Sequence, residues 1–109
     1  MTFTQTEQYF WAERIMQAVC DVGQVTFLEL VSERKNVRAN TLRGLYCLFT
    51  RDYCIHPDRA ARLIARTRAN VINQTRKYAQ YLQVKDKMVV ELYNKIKNIL
   101  KTYDNEKRL

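Results

Sequence analysis

The sequence predicts an all-α protein, a compact bundle of about six helices. Its 109 residues include two glycines and one proline, too few turn-forming residues for a β-sandwich or a Rossmann unit. Apolar residues recur at steps of three and four along most of the chain, which is the periodicity of amphipathic helices. With 47% hydrophobic residues, we expect one domain over residues 1–109 with a modest core.

Residues typical of helix ends indicate the first two expected helices. Residues 6–22 repeat apolar side chains at helical steps, and Gly23 follows as the expected glycine stop. Thr26, followed three residues later by Glu29, predicts a capping box that opens a short helix through Val31. The chain therefore begins with a long amphipathic helix and a short one.

The third and fourth expected helices are separated by a proline. Residues 41–54 carry a core stripe that includes Phe49, with Arg43 outside the stripe. Pro57 lacks a backbone donor and suits the first turn of a helix. A short helix should therefore begin near Pro57 and end near residue 64.

The last two expected helices complete the bundle. Thr67 can cap the fifth, whose inner face carries Val71, Thr75 and Tyr78 and whose outer face is polar. The sixth should run over residues 85–103 with six apolar side chains directed inward. These six are Met88, Val89, Leu92, Ile96, Ile99 and Leu100.

The positive charge of the chain is concentrated in its middle. The formal net charge is +8 at pH 7, and residues 31–80 contain eleven basic and three acidic residues, whereas residues 1–30 are net acidic. Nine of the eleven are arginines, which suit forked contacts with phosphates and guanine edges. This distribution favours an anionic partner. The alternative is a solvated helical surface in which arginine is common.

The fourth and fifth segments together have the parts of a helix-turn-helix, over about residues 57–82. Ala60 and Ala61 are small enough for the first helix to lie close across the second, and Ala65 stands in the turn, where glycine is common. Val71 would anchor the second helix to the core. We then expect the outer face of that helix to enter the major groove of double-stranded DNA.

Base readout requires donors near the N-terminal end of such a helix. Arg66 and Arg68 can each bond guanine in two places, and Asn70 and Asn73 can do the same with adenine. Phosphate contacts would instead fix the register of the protein without reading sequence. Four further basic residues are available for them: Lys77, Arg76, Arg59 and Arg62.

A second basic element precedes the third helix. It consists of Arg34, Lys35 and Arg38, and Arg43 follows within that helix. Such a loop can cross the DNA backbone or place an arginine in the minor groove, where a narrow width strengthens the negative potential. The alternative is an ordinary solvated loop.

Most of the chain, residues 15–100, resembles the C-terminal DNA-binding domain of the bacterial replication initiator DnaA, whose fold is similar to that of the Trp repressor. The family's basic loop and following long helix correspond to residues 33–48, and its helix-turn-helix to residues 55–82. The family signature, Arg-Asp-His-Ser/Thr-Thr-Val followed by an apolar residue and often His, corresponds to residues 66–73. The final helix, residues 86–100, is similar in its Asp-Lys start and apolar spacing. The resemblance implies a Trp-repressor-like fold and duplex DNA binding.

The chain departs from the family at the positions that read bases. Arg66, Val71 and Ile72 keep the signature, whereas its Asp, His and hydroxyl positions are occupied differently. The occupants are Thr67, Arg68, Ala69 and Asn70. The resemblance thus implies duplex binding more strongly than recognition of the initiator's usual box. The complete candidate DNA-binding set is Arg34, Lys35, Arg38, Arg43, Arg66, Thr67, Arg68, Asn70, Asn73 and Lys77.

The sequence predicts neither an enzyme nor a cofactor. It lacks a Gly-rich phosphate loop, so the ATP-driven assembly of the full initiator is not expected. It also lacks paired carboxylates on one face, a nucleophile with a base at suitable spacing, and a metal-ligand cluster. The single histidine, His56, precedes Pro57 at a helix start, where capping is the expected role.

Cysteine usage and hydropathy predict the environment. Cys20, Cys47 and Cys54 are an odd number at spacings that match no zinc pattern, so buried free thiols in a reducing compartment are expected. No apolar stretch reaches the length of a bilayer span, and the N-terminus lacks the pattern of a secretory signal. We therefore expect a cytoplasmic protein with no membrane partner.

Two functions of different classes are compatible with these patterns. The first is a stand-alone DNA-binding protein, phage or mobile-element encoded, that acts in replication control or transcription regulation. The second is a helical interaction module, likewise phage or mobile-element encoded, that binds a host replication or regulatory protein through the aromatic cluster Tyr9, Phe10 and Trp11. The sequence leaves open the oligomeric state and the DNA sequence bound.

Overall fold

A computed structural model shows an all-helical chain with six α-helices and, over the described residues, no β-strand. The structure describes residues 3–32 and 36–108, with side chains up to residue 103. The helices are α1 Gln5–Gly23, α2 Phe27–Val31, α3 Val37–Asp52, α4 Pro57–Leu63, α5 Arg68–Gln83 and α6 Lys87–Arg108.

Within the described ranges, every helix is too short or too polar to cross a lipid bilayer.

The helix N-termini are fixed by side-chain caps. The predicted capping box of Thr26 and Glu29 is confirmed, and Thr4 forms the same arrangement with Glu7 at the start of α1. His56 caps α4 as expected, because its Nδ1 accepts from the backbone N–H of Asp58 at 3.2 Å. The helix starts therefore follow side-chain chemistry that is visible in the sequence.

The predicted start of the third helix is wrong by four residues. α3 begins at Val37 instead of residue 41, because the side chain of Asn36 accepts a hydrogen bond from the backbone N–H of Ala39 at 3.0 Å. Asn36 is a good capping residue, but it lies within a charged run that lacks the apolar periodicity of a helix. The additional turn places Arg38 and Asn40 on α3.

The helix C-termini do not follow the expected glycine pattern. Gly23 is the last residue of α1, and the left-handed residue is Gln24, with φ of 55°. The reason for glycine here is space, since a Cβ at this position would lie 2.4 Å from a methyl carbon of Leu42. Ala65 does adopt the predicted turn conformation, with φ of 54°.

The core is built around α3, which contacts each of the other five helices. Residues 41–50 are all buried. Gly44 lies against the ring of Tyr78, so that α3 and α5 approach closely. The Tyr46 hydroxyl donates to the carbonyl oxygen of Ala60 at 2.8 Å, which attaches α4 to the same helix. This packing places α4 and α5 against α3 as one unit.

Three expectations about burial require correction. Met88 is 39% exposed, so the apolar stripe of α6 begins at Val89. Of the three free cysteines, only Cys47 is buried, whereas Cys20 is intermediate and Cys54 is exposed. Cys54 is the second residue after the end of α3 and has a left-handed backbone, with φ of 59°, which places it in a turn at the surface.

Candidate nucleic-acid interface

The α4–α5 pair has the predicted elements of a helix-turn-helix. α4 buries Ala60 and Ala61 and is connected to α5 through the turn at residues 64–67. Thr67 caps α5 as predicted, because its hydroxyl oxygen accepts from the backbone N–H of Asn70 at 3.1 Å. Val71 is buried and joins α5 to the core. The start of α5 is thus defined by its cap and anchored to the core by Val71.

The exposed residues of α5 carry positive charge without compensating carboxylates on the same helix. Arg68, Asn73, Arg76 and Lys77 are exposed, and α5 contains no Asp or Glu. Within the part of the chain that the structure describes, the side chains of Arg68, Asn73 and Arg76 have no hydrogen bond or ion pair. α5 thus exposes these three polar side chains.

The remaining α5 candidates are more constrained. Thr67 is exposed, but its hydroxyl serves the cap, and Asn70 is half-buried. Lys77 Nζ lies 5.9 Å from the ring centroids of both Tyr78 and Tyr81. This cation–π geometry holds the ammonium group on the outer side of α5 without neutralising its charge.

Arg66 is placed differently from Arg68. Its Nη1 donates to the carbonyl oxygens of Val31 at 3.0 Å, Ile64 at 3.2 Å and Ala65 at 3.3 Å. Its Nη2 donates to the carbonyl oxygen of Ser32 at 2.8 Å. The guanidinium group therefore joins the turn before α5 to the C-terminal end of α2.

The expectation that Arg43 lies off the core stripe is wrong. Its exposure is 7%, and Nη1 donates to the carbonyl oxygens of Leu30 at 2.9 Å and Ser32 at 3.3 Å, while Nη2 donates to Oδ1 of Asn40. Burial lowers the pKa of the Arg43 guanidinium, and the positive charge of Arg66 lowers it further. Arg43 therefore occupies an interior position and not the exposed surface.

The second basic element is described only at Arg38. The side chain of Arg38 donates to the carbonyl oxygen of Gly23 from Nε at 3.3 Å and from Nη2 at 3.2 Å. Arg38 is thus exposed but already engaged at the end of α1. Arg34 and Lys35, the other two members, lie outside the described residues.

Two of the expected phosphate-binding residues face α1. Nη1 of Arg59 donates to Oε1 of Gln8 at 3.2 Å, and Nη1 of Arg62 donates to the hydroxyl of Tyr9 at 3.2 Å. The same Gln8 oxygen accepts from the backbone N–H of His56 at 2.8 Å. These arginines therefore contribute to the α1–α4 contact, whereas Arg76 lies exposed on α5.

Sequence reasoning missed a common role of three arginines. Arg38, Arg43 and Arg66 all donate to backbone carbonyl oxygens at the ends of α1 or α2. These carbonyls lack partners within their own helices, and they attract cations because the helix dipole is negative at the C-terminus. The sequence gives no sign of this role, since the donors are 15, 13 and 35 or 34 residues distant from their acceptors.

Among the described residues, no three His, Cys, Asp or Glu side chains are grouped as metal ligands. No protein-family model matches the chain, and no curated protein is significantly similar to it in sequence.

Proposed function

We propose that this protein binds double-stranded DNA. The exposed face of α5 would lie in the major groove, and α4 would lie across α5. It would act as a DNA-binding module similar to that of the replication initiator, without an ATPase, in replication control or transcription regulation. Residues 15–100 resemble the DNA-binding domain of that initiator, and the exposed surface of α5 supports the same function.

The observation that carries the proposal is the absence of acidic residues from α5, whose exposed residues are positively charged. Arg68, Arg76 and Lys77 supply three exposed positive charges on a helix with no carboxylate. A surface helix of a protein without an anionic partner usually mixes both signs of charge. Phosphates attract such a face through the release of condensed counterions, and a helix of this width fits the major groove.

The positions of the side chains suggest a division of roles. Arg68 is at the first position of α5 and Asn73 lies within its second turn, which is where recognition helices meet base edges. Arg76 and Lys77 lie further along the helix, where phosphate contacts are expected. Arg68 and Asn73 would then carry sequence preference, and Arg76 and Lys77 would carry general affinity.

The test compares two triple charge reversals that change the net charge equally. One variant carries Arg68→Glu, Arg76→Glu and Lys77→Glu on α5, and the control carries Lys95→Glu, Lys97→Glu and Lys101→Glu, which are exposed on α6. Fluorescence anisotropy with a labelled duplex should show a loss of affinity of about hundredfold for the α5 variant and under about tenfold for the control. Equal losses would contradict the assignment to α5.

A protein-binding function is the alternative, supported by the exposure of Phe10. Phe10 is 41% exposed, with the Arg14 guanidinium carbon 5.1 Å from its ring centroid. Trp11, which the sequence grouped with it, is buried at 4% and is a core residue. The alternative therefore depends on Phe10 and its half-buried neighbour Tyr9.

The two functions respond differently to substitution. Cross-linking in cells should lose a protein partner on Phe10→Ala and retain it in the α5 triple variant, whereas a DNA partner would show the reverse. Met88→Ala is the matched control, because Met88 is exposed to nearly the same degree, 39% against 41%. A protein partner lost only on Phe10→Ala would favour the alternative.

A further inference from the structure

Arg66 connects two parts of the chain that nothing in the sequence places together. Its four hydrogen bonds reach Ile64 and Ala65 in the turn before α5, and Val31 and Ser32 at the end of α2. One planar guanidinium group thus fixes the distance and the angle between α2 and the turn. A lysine could not do this, because its ammonium lacks the rigid fork of donors.

α2 depends on such contacts for its position. It has five residues, fewer than a helix needs to be stable alone. It is held by its capping box, by the buried side chain of Leu30, and by Arg43 and Arg66, which both donate to the carbonyl oxygen of Ser32. The Ser32 carbonyl oxygen can accept from both guanidinium groups because it has two lone pairs.

We propose that Arg66 is a positioning residue that determines DNA sequence specificity by fixing the direction of α5, without contacting DNA itself. This inference rests on the proposed DNA-binding function. The turn that Arg66 holds ends at Thr67, and α5 begins at the next residue, Arg68. Base contacts tolerate little displacement of the side chains that make them, whereas phosphate contacts are more permissive.

The hydrogen bonds of Arg66 argue against a direct role in base readout. Reaching a guanine would require Nη1 and Nη2 to leave carbonyl oxygens of Val31 and Ser32, which would then lose donors at the end of α2. Arg68, two residues later, is exposed and provides the same guanidinium chemistry at the start of α5. These two arginines therefore have different roles: Arg66 is bonded to the backbone of the fold, and Arg68 is exposed to a ligand.

The primary experiment compares Arg66→Lys with Arg66→Met. A preferred duplex is first selected from random sequences with the unaltered protein, and affinities for this duplex and for a scrambled one are then measured over a salt series. Both variants should lower the ratio of specific to nonspecific affinity by about tenfold or more. The slope of log affinity against log salt should stay unchanged, because no phosphate contact is removed.

A second variant perturbs α2 without changing Arg66. Thr26→Ala removes the cap of α2, where the Thr26 hydroxyl accepts from the Glu29 N–H at 3.1 Å. It should lower the specificity ratio in the same direction, and its effect should be less than additive with Arg66→Met. Thr4→Ala is the matched control, because it removes the same kind of capping box from α1, also at 3.1 Å. Thermal denaturation of each variant establishes that the measurements are made on folded protein.

The outcomes separate this inference from the function on which it rests. If the unaltered protein binds no duplex, the proposed function fails. If it binds DNA but selects no preferred sequence, or if Arg66→Lys keeps the specificity ratio, only the role of Arg66 is overturned. A salt slope that falls by about one in Arg66→Met would also overturn it, because Arg66 would then contact a phosphate. Should Arg66→Met fail to fold, Thr26→Ala tests whether the position of α2 affects sequence specificity. An unchanged specificity ratio in Thr26→Ala would then overturn the role of Arg66.

Discussion

At the scale of single residues, arginines that look alike in the sequence differ in what they contact. Arg66 and Arg43 donate to backbone carbonyl oxygens, whereas Arg68 is exposed at the first position of α5. Composition indicated an anionic partner but could not distinguish these roles, because each depends on which helix end lies nearby. Burial and hydrogen-bond partners make the distinction.

Arg68→Ala and Lys77→Ala should have different effects on DNA binding. Loss of a base-reading Arg68 should cost about 1–3 kcal/mol at one or two base pairs and relax the preference there. Loss of Lys77 should weaken all sequences alike and reduce the salt slope by about one. Selection from random duplexes and a salt series with each variant measure these effects. Equal effects of both variants on all sequences would contradict the division of roles.

At the scale of elements, all six helices could be predicted, but some of their ends could not. Apolar periodicity and the caps at Thr26 and Thr67 placed α2 and α5 closely, since both signals act within a few residues. The cap of α3 at Asn36 was not predicted, because Asn36 lies in a charged run without apolar periodicity. The role of Gly23 depends on its contact with Leu42, which is distant in the sequence. Likewise, the exposed polar face of α5 could be predicted from the sequence. The hydrogen bonds from Arg66 to the end of α2 could not, because they join residues far apart in the chain.

The close approach of α3 and α5 predicts a large effect of one methyl group. In Gly44→Ala, the new Cβ would lie 2.1 Å from a ring carbon of Tyr78. Because an aromatic ring on a packed helix cannot move aside easily, we expect a loss of stability of about 3 kcal/mol, despite the better helix propensity of alanine.

Gly23→Ala provides the comparison, because its Cβ would meet the methyl groups of Leu42, the flexible end of a side chain. We expect a smaller loss there, about 1 kcal/mol. Urea denaturation midpoints measure both variants. A greater loss for Gly23→Ala than for Gly44→Ala would show that α3 and α5 are not in such close contact.

At the scale of the whole molecule, the core contains groups that resist ionisation. Burial raises the pKa of the Cys47 thiol to about 12 from an ordinary 9.0, a rise that the positive charges of Arg66 and Arg43 oppose. Burial also raises the pKa of Tyr46. Both residues lie on α3, the helix that contacts all the others, so their ionisation would disturb the centre of the fold.

The raised pKa of Cys47 predicts that the stability of the protein decreases at alkaline pH. The thiol of Cys47 is more easily ionised in the unfolded chain, so its contribution to stability is complete below about pH 9 and is lost as the pH rises toward about 12. Urea midpoints should therefore fall between about pH 9 and about pH 11. Cys47→Ala should reduce this fall, whereas Cys54→Ala, at an exposed position, should leave it unchanged. An equal fall in all three proteins would contradict the assignment to Cys47.

The central claim, that the positive charge of the chain serves to bind duplex DNA, is tested most directly by the salt dependence of binding. Affinity for a double-stranded oligonucleotide should be measurable at about 50 mM salt and should fall steeply toward about 200 mM, with a linear relation between log affinity and log salt. We expect the slope of log affinity against log salt to be several units, because the exposed arginines and lysine of α5 would act together with other phosphate contacts. Absence of binding at low salt, or an affinity that salt does not change, would contradict the claim.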